Sequence, residues 1–500
     1  MALVALSSLV AAVAAAGWIL WWRRAAFSAS KLGNIPYLKF DGDDSEARYT
    51  AESRTIISRG YQEYLKRGQP FCMRNPIDSK RPLVILPFKY LDEVRSAPQN
   101  KLSLPLQLDK NALLSYVGGP QMTDEVVHAA KLDLNRALNR LVEPMQEECL
   151  AAFKKDFPPC QEWTTVYIYP LILQVFSRMS ARVLVGPELR DEWQKLSLAY
   201  VSAVLKAPST VRAKYHPSLY WLAKYLNPDV KEVLKFRRQA GQLLQPTIKA
   251  RLASPGVEPH EDALQWLLDG HRAKGRTPTA DDIAQDLFVL MTASIHSTSS
   301  TALSILFDLM DHPQPLADIR REIARVRSQN SAGWTRHALS ELHTLDAFMR
   351  ESQRVHSFTQ LTVQRVVASP WTFKDGLSLP VGTQLSFASN EHNLDADTHA
   401  DAATFDAGRF LRRTAAADPS SQHRLHFAST EDTLVWGSGA HACPGRFFAE
   451  EALRLIFVRL LTAYDFKHPA DGQQRPPDMP RNFNIVPNVM APLLFREKGA

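Results

Sequence analysis

The longest uninterrupted apolar stretch opens the chain. Residues Ala2 to Trp22 carry no charged side chain, and only Ser7 and Ser8 break their apolar character. About 21 residues at about 1.5 Å each make a helix of roughly 31 Å, enough to cross a hydrocarbon core. Trp18, Trp21 and Trp22 gather at one end, where indole rings favour a membrane interface, and Arg23-Arg24 follow at once. The pattern predicts an uncleaved transmembrane anchor over residues 1–24, with the arginines and the rest of the chain, 25–500, on the cytosolic side. A cleaved signal peptide is the competing reading, with Ala14-Ala15-Ala16 in the place of a cleavage site. That reading lacks a basic leader, and the apolar run continues past the cut.

Further in, the apolar period becomes mainly helical. Arg54 to Leu65 reads as an amphipathic helix and Leu83 to Pro87 as a short buried strand. Residues 97–119 show no period and end in Gly118-Gly119-Pro120, which predicts a loop. Thr123-Asp124-Glu125 then opens a helix with a capping hydroxyl and an acidic first turn, running through Lys131, Arg136 and Arg140. An apolar helix ends at Gly186, another runs from Trp193 to Lys206, and residues 208–228 are rich in aromatics. Asp281 to Met310 is the longest periodic segment after the anchor, with Thr279 and Asp282 placed as a capping box and Pro313 as its stop. Alternation after Arg365, with turns at Asp375-Gly376 and Val381-Gly382, predicts small hairpins. Asn484 to Phe495 predicts a last one, its tip turned towards a pocket. The class expected is mainly α with small β-sheets.

Composition narrows the function without naming it. With 500 residues, 45% hydrophobic and 22% charged, the chain can bury a large core. No linker, repeat or low-complexity tract marks a boundary inside 25–500. Cys72, Cys149, Cys160 and Cys443 show no C-x-x-C pairing, which argues against a disulfide framework or a zinc site and suits a reducing compartment. No N-x-[ST] acceptor occurs. A net charge of +7 suits an anionic membrane surface or an acidic protein partner and is too weak to argue for nucleic acid.

The chemistry gathers around Trp436-Gly-Ser-Gly439-Ala-His441-Ala-Cys443-Pro-Gly445-Arg446. Two glycines allow a tight turn and close approach to a large flat ligand, and Cys443 stands just before a helix N-terminus, where N–H groups favour a thiolate. This stretch resembles the haem-binding loop of the cytochrome P450 family, F-x-x-G-x-R-x-C-x-G. Gly439, Cys443 and Gly445 match, while Trp436 replaces the Phe and His441 the Arg. The resemblance implies Cys443 as the axial iron ligand of haem b and His441 as a propionate contact.

Three other stretches extend the resemblance. Ala293-Ser294-Ile295-His296-Ser297-Thr298 is similar to the family's [AG]-G-x-[DE]-T-[TS], a helix distorted beside the iron. It implies Ser297 and Thr298 as the proton-delivering hydroxyls and His296, in place of the acid, as a candidate relay; many fungal members share this variant. Glu351-Ser-Gln-Arg354 and Arg409 are similar to the buried ion network of the family. Arg365 and Lys131 fall where relatives contact a propionate, and residues 102–117 where a loop covers the substrate. The resemblance implies the cytochrome P450 fold and a monooxygenase that uses NADPH and O2 through NADPH-cytochrome P450 reductase, with cytochrome b5 as a second donor. It also implies the endoplasmic reticulum membrane, contact with the lipid bilayer by the 208–228 aromatics, and a lipophilic terpenoid, alkaloid or polyketide substrate. Two alternatives stay open from sequence: a haem-thiolate isomerase, dehydratase or peroxygenase that needs no reductase, and a non-enzymatic haem-binding membrane protein.

Overall fold

A computed structural model describes residues 32–78, 81–253, 260–330, 333–417 and 426–499. The predicted anchor over 1–24 lies outside the described residues. The backbone divides into two compact units, Met1–Gln107 with Gln364–Phe387, and Leu108–Val363 with Ala388–Ala500. One division falls within the helix Leu104–Ala112 and another within the strand Thr362–Val367, so no change of composition marks either.

The smaller unit is built on a mixed sheet and one helix. Its strands run in the order Tyr37–Leu38, Phe71–Met73, Leu83–Ile85, Gln384–Phe387, Thr362–Val367 (from Gln364 on) and Leu102–Ser103. The strand predicted at Leu83 is present and pairs parallel with Gln384–Phe387, Leu83 opposite Gln384. Helix α1 (Glu46–Glu63) begins earlier than its apolar period suggests, because Ser45 caps it by accepting from the Arg48 N–H. It buries Tyr49, Ile56, Ile57 and Tyr61, a stripe at helical spacing. A Cβ at Gly60 would stand 2.3 Å from the Phe71 ring, so only glycine lets helix and strand approach this closely. The turn at Asp375-Gly376 joins Trp371–Thr372 to Ser378–Leu379 as predicted, with Gly376 at φ 90°.

The larger unit is helical. Thr123 caps the short helix Asp124–His128 by accepting from the Val126 N–H, and a π-helical turn, Ala129–Asp133, leads into α2 (Leu134–Asp156). Helix α3 (Ile168–Lys214) is one run broken at Gly186, where φ 79° and ψ −179° open the helix the sequence ends there. Its length and hydropathy would let it cross a membrane, but 67% of its apolar window is buried inside the unit, as befits a core helix. Helices α4 (Pro228–Ala253) and α5 (Ala263–Ala273) pack beside it. Helix α6 (Ala280–Asp311) crosses the core; Asp282 N–H donates to Thr279 Oγ1 and Thr279 N–H to Asp282 Oδ2, completing the predicted capping box. Phe288 of α6 stacks on Tyr200 of α3 at 3.6 Å between ring centroids. Pro313 both stops α6 and starts α7 (Pro313–Gln329), then come α8 (His343–Val355) and α9 (Arg446–Ala463).

Two sequence expectations fail here. Residues 97–119 are no loop: they hold Leu102–Ser103, the helix Leu104–Ala112 and the turn of helix Leu114–Val117. Ser103 Oγ accepts from the Leu106 N–H and Pro105 suits a first helical turn, signals too short to yield a period. At the C-terminus, the segment from Asn484 does not pair with itself. Asn484–Val486 pairs back with Met479–Arg481, and Leu493–Glu497 lies between Tyr464–Lys467 and Thr164–Val166. Partners distant in sequence take Leu493–Glu497, while Asn484–Val486 turns back on its near neighbour.

Candidate active site

Within the larger unit, a cavity enclosing about 1040 Å³, its mouth included, opens above the cysteine loop. Cys443, Pro444 and Gly445 form one wall and Ala293, Ser294, Ser297 and Thr298 of α6 another. Val126, Ala129 and Ala130, then Val183 and Leu184 of α3, close the sides. The lining is apolar apart from serine and threonine hydroxyls and the cysteine. None of residues 108–117 and none of the Asn484–Phe495 segment lines it, so neither predicted lid nor predicted hairpin tip forms this wall.

The loop is held from its own backbone. Cys443 N–H donates to Trp436 O at 2.7 Å, Ala442 N–H to Gly439 O at 3.1 Å, and Arg446 Nη1 to Cys443 O at 2.9 Å. Gly437 and Gly439 take φ 77° and 63°, the left-handed turns that the glycines supply. Trp436 Nε1 donates to Phe427 O at 3.0 Å, and its ring meets the Phe427 ring edge-on, anchoring the loop to the preceding segment. Lys131, on the π-helical turn, reaches the same loop, its Nζ donating to Ala440 O at 3.3 Å. His441 sits half-buried on the 3₁₀ turn Gly439–His441 and is not a lining residue. Burial pushes the Cys443 thiol up; the backbone N–H groups of Gly445 and Arg446, with the Arg446 charge, pull it down and do not win. Burial thus outweighs the pull of the helix N-terminus on this sulfur.

On α6 the hydroxyls point back to their own helix. Ser297 Oγ donates to Ala293 O at 3.1 Å and Ser294 Oγ to Met291 O at 3.2 Å. The helix remains α-helical throughout, so the distortion expected beside the iron is absent and back-bonding takes its place. His296 does not line the cavity: its Nδ1 is 3.0 Å from the Tyr169 hydroxyl of α3. Burial lowers its pKa.

Two buried ion networks stand under the site. Arg354 Nε and Nη2 donate to the two Glu351 oxygens at 2.8 and 2.7 Å, Arg409 Nε donates to both at 3.1 and 3.2 Å, and Asp406 N–H adds a bond at 2.9 Å. The remaining Arg354 donors take the carbonyls of Asn393, Ala402 and Thr404, so this network fastens residues 393–409. A second network escaped sequence reasoning. Arg454 of α9 donates to Asp346 of α8, to Glu450 and to Glu451, and lies 3.2 Å from His426 Nδ1. Glu450 Oε1 accepts from the Ala428 N–H, next to the residue that receives the Trp436 indole. Asp346, His426 and Glu450 converge as metal ligands do, but the Arg454 guanidinium already fills their centre. The only signal was Glu450, Glu451 and Arg454 at helical spacing; the Asp346 partner is 108 residues away.

In the smaller unit, Arg365 is 3% exposed on the strand Thr362–Val367. Its Nη1 donates to Gln364 O, its Nε has no partner, and burial brings its pKa down to about 10. It makes no ion pair among the described residues.

A thiol on a glycine loop and hydroxyls of α6 line one apolar chamber, and a flat cofactor with a sulfur-held metal, such as haem, would fit there. No atom beyond the chain neighbours lies within 4 Å of where a Gly445 side chain would begin, so this wall leaves open space for a ring. The sequence model described as Cytochrome P450 matches residues 128–490. The cytochrome P450 monooxygenase cheE of Chaetomium globosum is 39% identical over 94% of this chain and 92% of its own length. The monooxygenase ccsG of Aspergillus clavatus is 36% identical over 98% of both chains, and the pyrichalasin C-7 hydroxylase of Pyricularia grisea 34% identical over 89% and 88%. The solved structure of retinoic acid-bound cyanobacterial CYP120A1 superposes with a TM-score of 0.67 over 93% of this chain and 99% of that one, at 18% identity, and so shares the fold. The chain belongs to the cytochrome P450 family. Its reaction class is that of a haem-dependent monooxygenase.

Proposed function

We propose that the chain inserts one oxygen atom of O2 into a lipophilic small molecule of fungal secondary metabolism, a terpenoid, alkaloid or polyketide. One observation carries the reading: Cys443 and the Ser297-Thr298 pair line the same apolar cavity. A lining of Val, Ala and Leu side chains attracts an apolar substrate and sheds its water, so binding is driven mainly by buried surface. The pyrichalasin hydroxylase among the relatives supports a natural product as substrate.

Haem bound through sulfur supplies oxygen activation. This chain's residues do the rest. Cys443 would hold the iron, with the Gly445 and Arg446 N–H groups beside its sulfur. Gly439 and Gly445 would keep the loop close to the ring and His441 would hold its carboxylate edge; the resemblance gives Arg365 the same task. Lys131 steadies the loop through Ala440. Ala293 would leave room in the cavity beside Ser297 and Thr298, which would hold protons for delivery at their hydroxyls, with His296 outside the cavity as their relay. Electrons come from NADPH through NADPH-cytochrome P450 reductase, with cytochrome b5 as a second donor, and Lys131 and Arg136 offer an exposed basic face for such a partner. The anchor 1–24 holds the enzyme in the endoplasmic reticulum membrane, and exposed Leu219, Trp221, Tyr225 and Leu226 suit contact with the bilayer.

Expression with a reductase in a host fed candidate precursors, followed by mass spectrometry, tests this. Products heavier by one oxygen atom, dependent on NADPH and O2, are expected. Retained activity without reductase or O2 would refute it.

A further inference from the structure

Helix α6 shows two different flanks. Leu290, Ala293, Ser294 and Ser297 face the cavity, while His296, about 100° round the helix from Ser297, faces α3. There the Tyr169 hydroxyl, on a half-buried residue near the start of α3, lies 3.0 Å from the His296 Nδ1. A phenol is a stronger acid than the N–H of a neutral imidazole, so the better hydrogen bond has the phenol proton pointing at the ring nitrogen. Burial is the one cause that shifts the His296 pKa, and it favours the neutral ring; burial likewise keeps Tyr169 a phenol, with Ser300 working against it. A neutral imidazole that accepts at Nδ1 carries its single proton on Nε2.

We infer that Tyr169 is a positioning residue for His296: its hydroxyl fixes the imidazole proton on Nε2 and makes the ring the outer leg of proton supply to Ser297 and Thr298. The inference rests on the relay role of His296 proposed above. A proton accepted from the tyrosine at Nδ1 releases one from Nε2, so the ring ends neutral and its proton has changed side. The tyrosine oxygen regains a proton from solvent at its half-exposed edge. A histidine here does without charge what a carboxylate does with it, and it needs a donor at its back to face one way.

The test uses the holoenzyme labelled with ¹⁵N-histidine, in its diamagnetic reduced carbonyl form, with the resonance lost in His296→Ala as the assignment. In the natural protein the ring is expected as a single tautomer with the proton on Nε2. In Tyr169→Phe, which removes one oxygen atom, the proton spreads over both nitrogens or moves to Nδ1, while the carbonyl absorption band stays in place. Product per NADPH falls severalfold in Tyr169→Phe and about tenfold in His296→Ala, less than the roughly hundredfold or more of a group that transfers its proton directly to the reacting atoms, with the missing electrons recovered as hydrogen peroxide. An unchanged tautomer in Tyr169→Phe overturns the inference. A displaced proton with full product yield in both variants overturns the relay reading of His296 instead.

Discussion

At the scale of single residues, the proposed site depends on one buried sulfur. Cys443→Ser is expected to abolish the long-wavelength absorption band that carbon monoxide gives the reduced protein, since that band needs sulfur on the iron and a serine oxygen does not give it. Ser297→Ala removes a hydroxyl that faces the cavity yet bonds its own helix. Product per NADPH is expected to drop while substrate-induced spectral binding is retained, because the lost group acts on protons and not on substrate affinity. These residues were legible because their types are chemically distinctive at close spacing: glycines, one cysteine and Pro-Gly in a single loop, and a run of hydroxyls in an apolar helix. Tyr169 was not, since nothing in the sequence around it mentions a helix 127 residues on.

At the scale of elements, the capping signals proved the most reliable readers of the fold. Thr123 and Thr279 mark their helices to the residue because a side-chain oxygen facing an unpaired N–H is a local event. The helix Leu104–Ala112 and the strand Leu493–Glu497 were misread for opposite reasons, one too short to show a period and the other paired across distance. The Glu351-Arg354-Arg409 network was legible only by likeness, as three residues whose spacing chance reproduces. Its geometry gives a measurable expectation. Glu351→Gln strands two buried guanidinium groups and should cost roughly 3–5 kcal/mol, read as a lower melting temperature and a smaller haem-loaded fraction. Gly60→Ala drives a methyl into the Phe71 ring and should cost about 1–3 kcal/mol, seen as a lower melting temperature with the absorption spectrum unchanged.

At the scale of the whole molecule, the second ion network links stability to pH. Burial raises Glu450 above the usual carboxylate range, against the pull of Arg454, so the folded chain binds a proton there that the unfolded chain does not. Stability from this group is full below the unfolded pKa and is lost as pH rises to the folded value. Melting temperatures of the natural protein should fall towards alkaline pH more steeply than those of Glu450→Gln. The expected order follows from charge count: Asp346, Glu450 and Glu451 outnumber Arg454 and Arg336 around a neutral His426.

The solitary guanidinium of Arg365 has a consequence for the life of the protein in a cell. Buried with no ion pair among the described residues, it holds a positive charge away from any counter-ion, and proteases act on whatever fraction of chains that charge drives open. One side chain thus helps to set how long each newly made chain survives. Pulse-chase labelling should show Arg365→Met, which has no charge to strand, with a longer half-life than the natural chain.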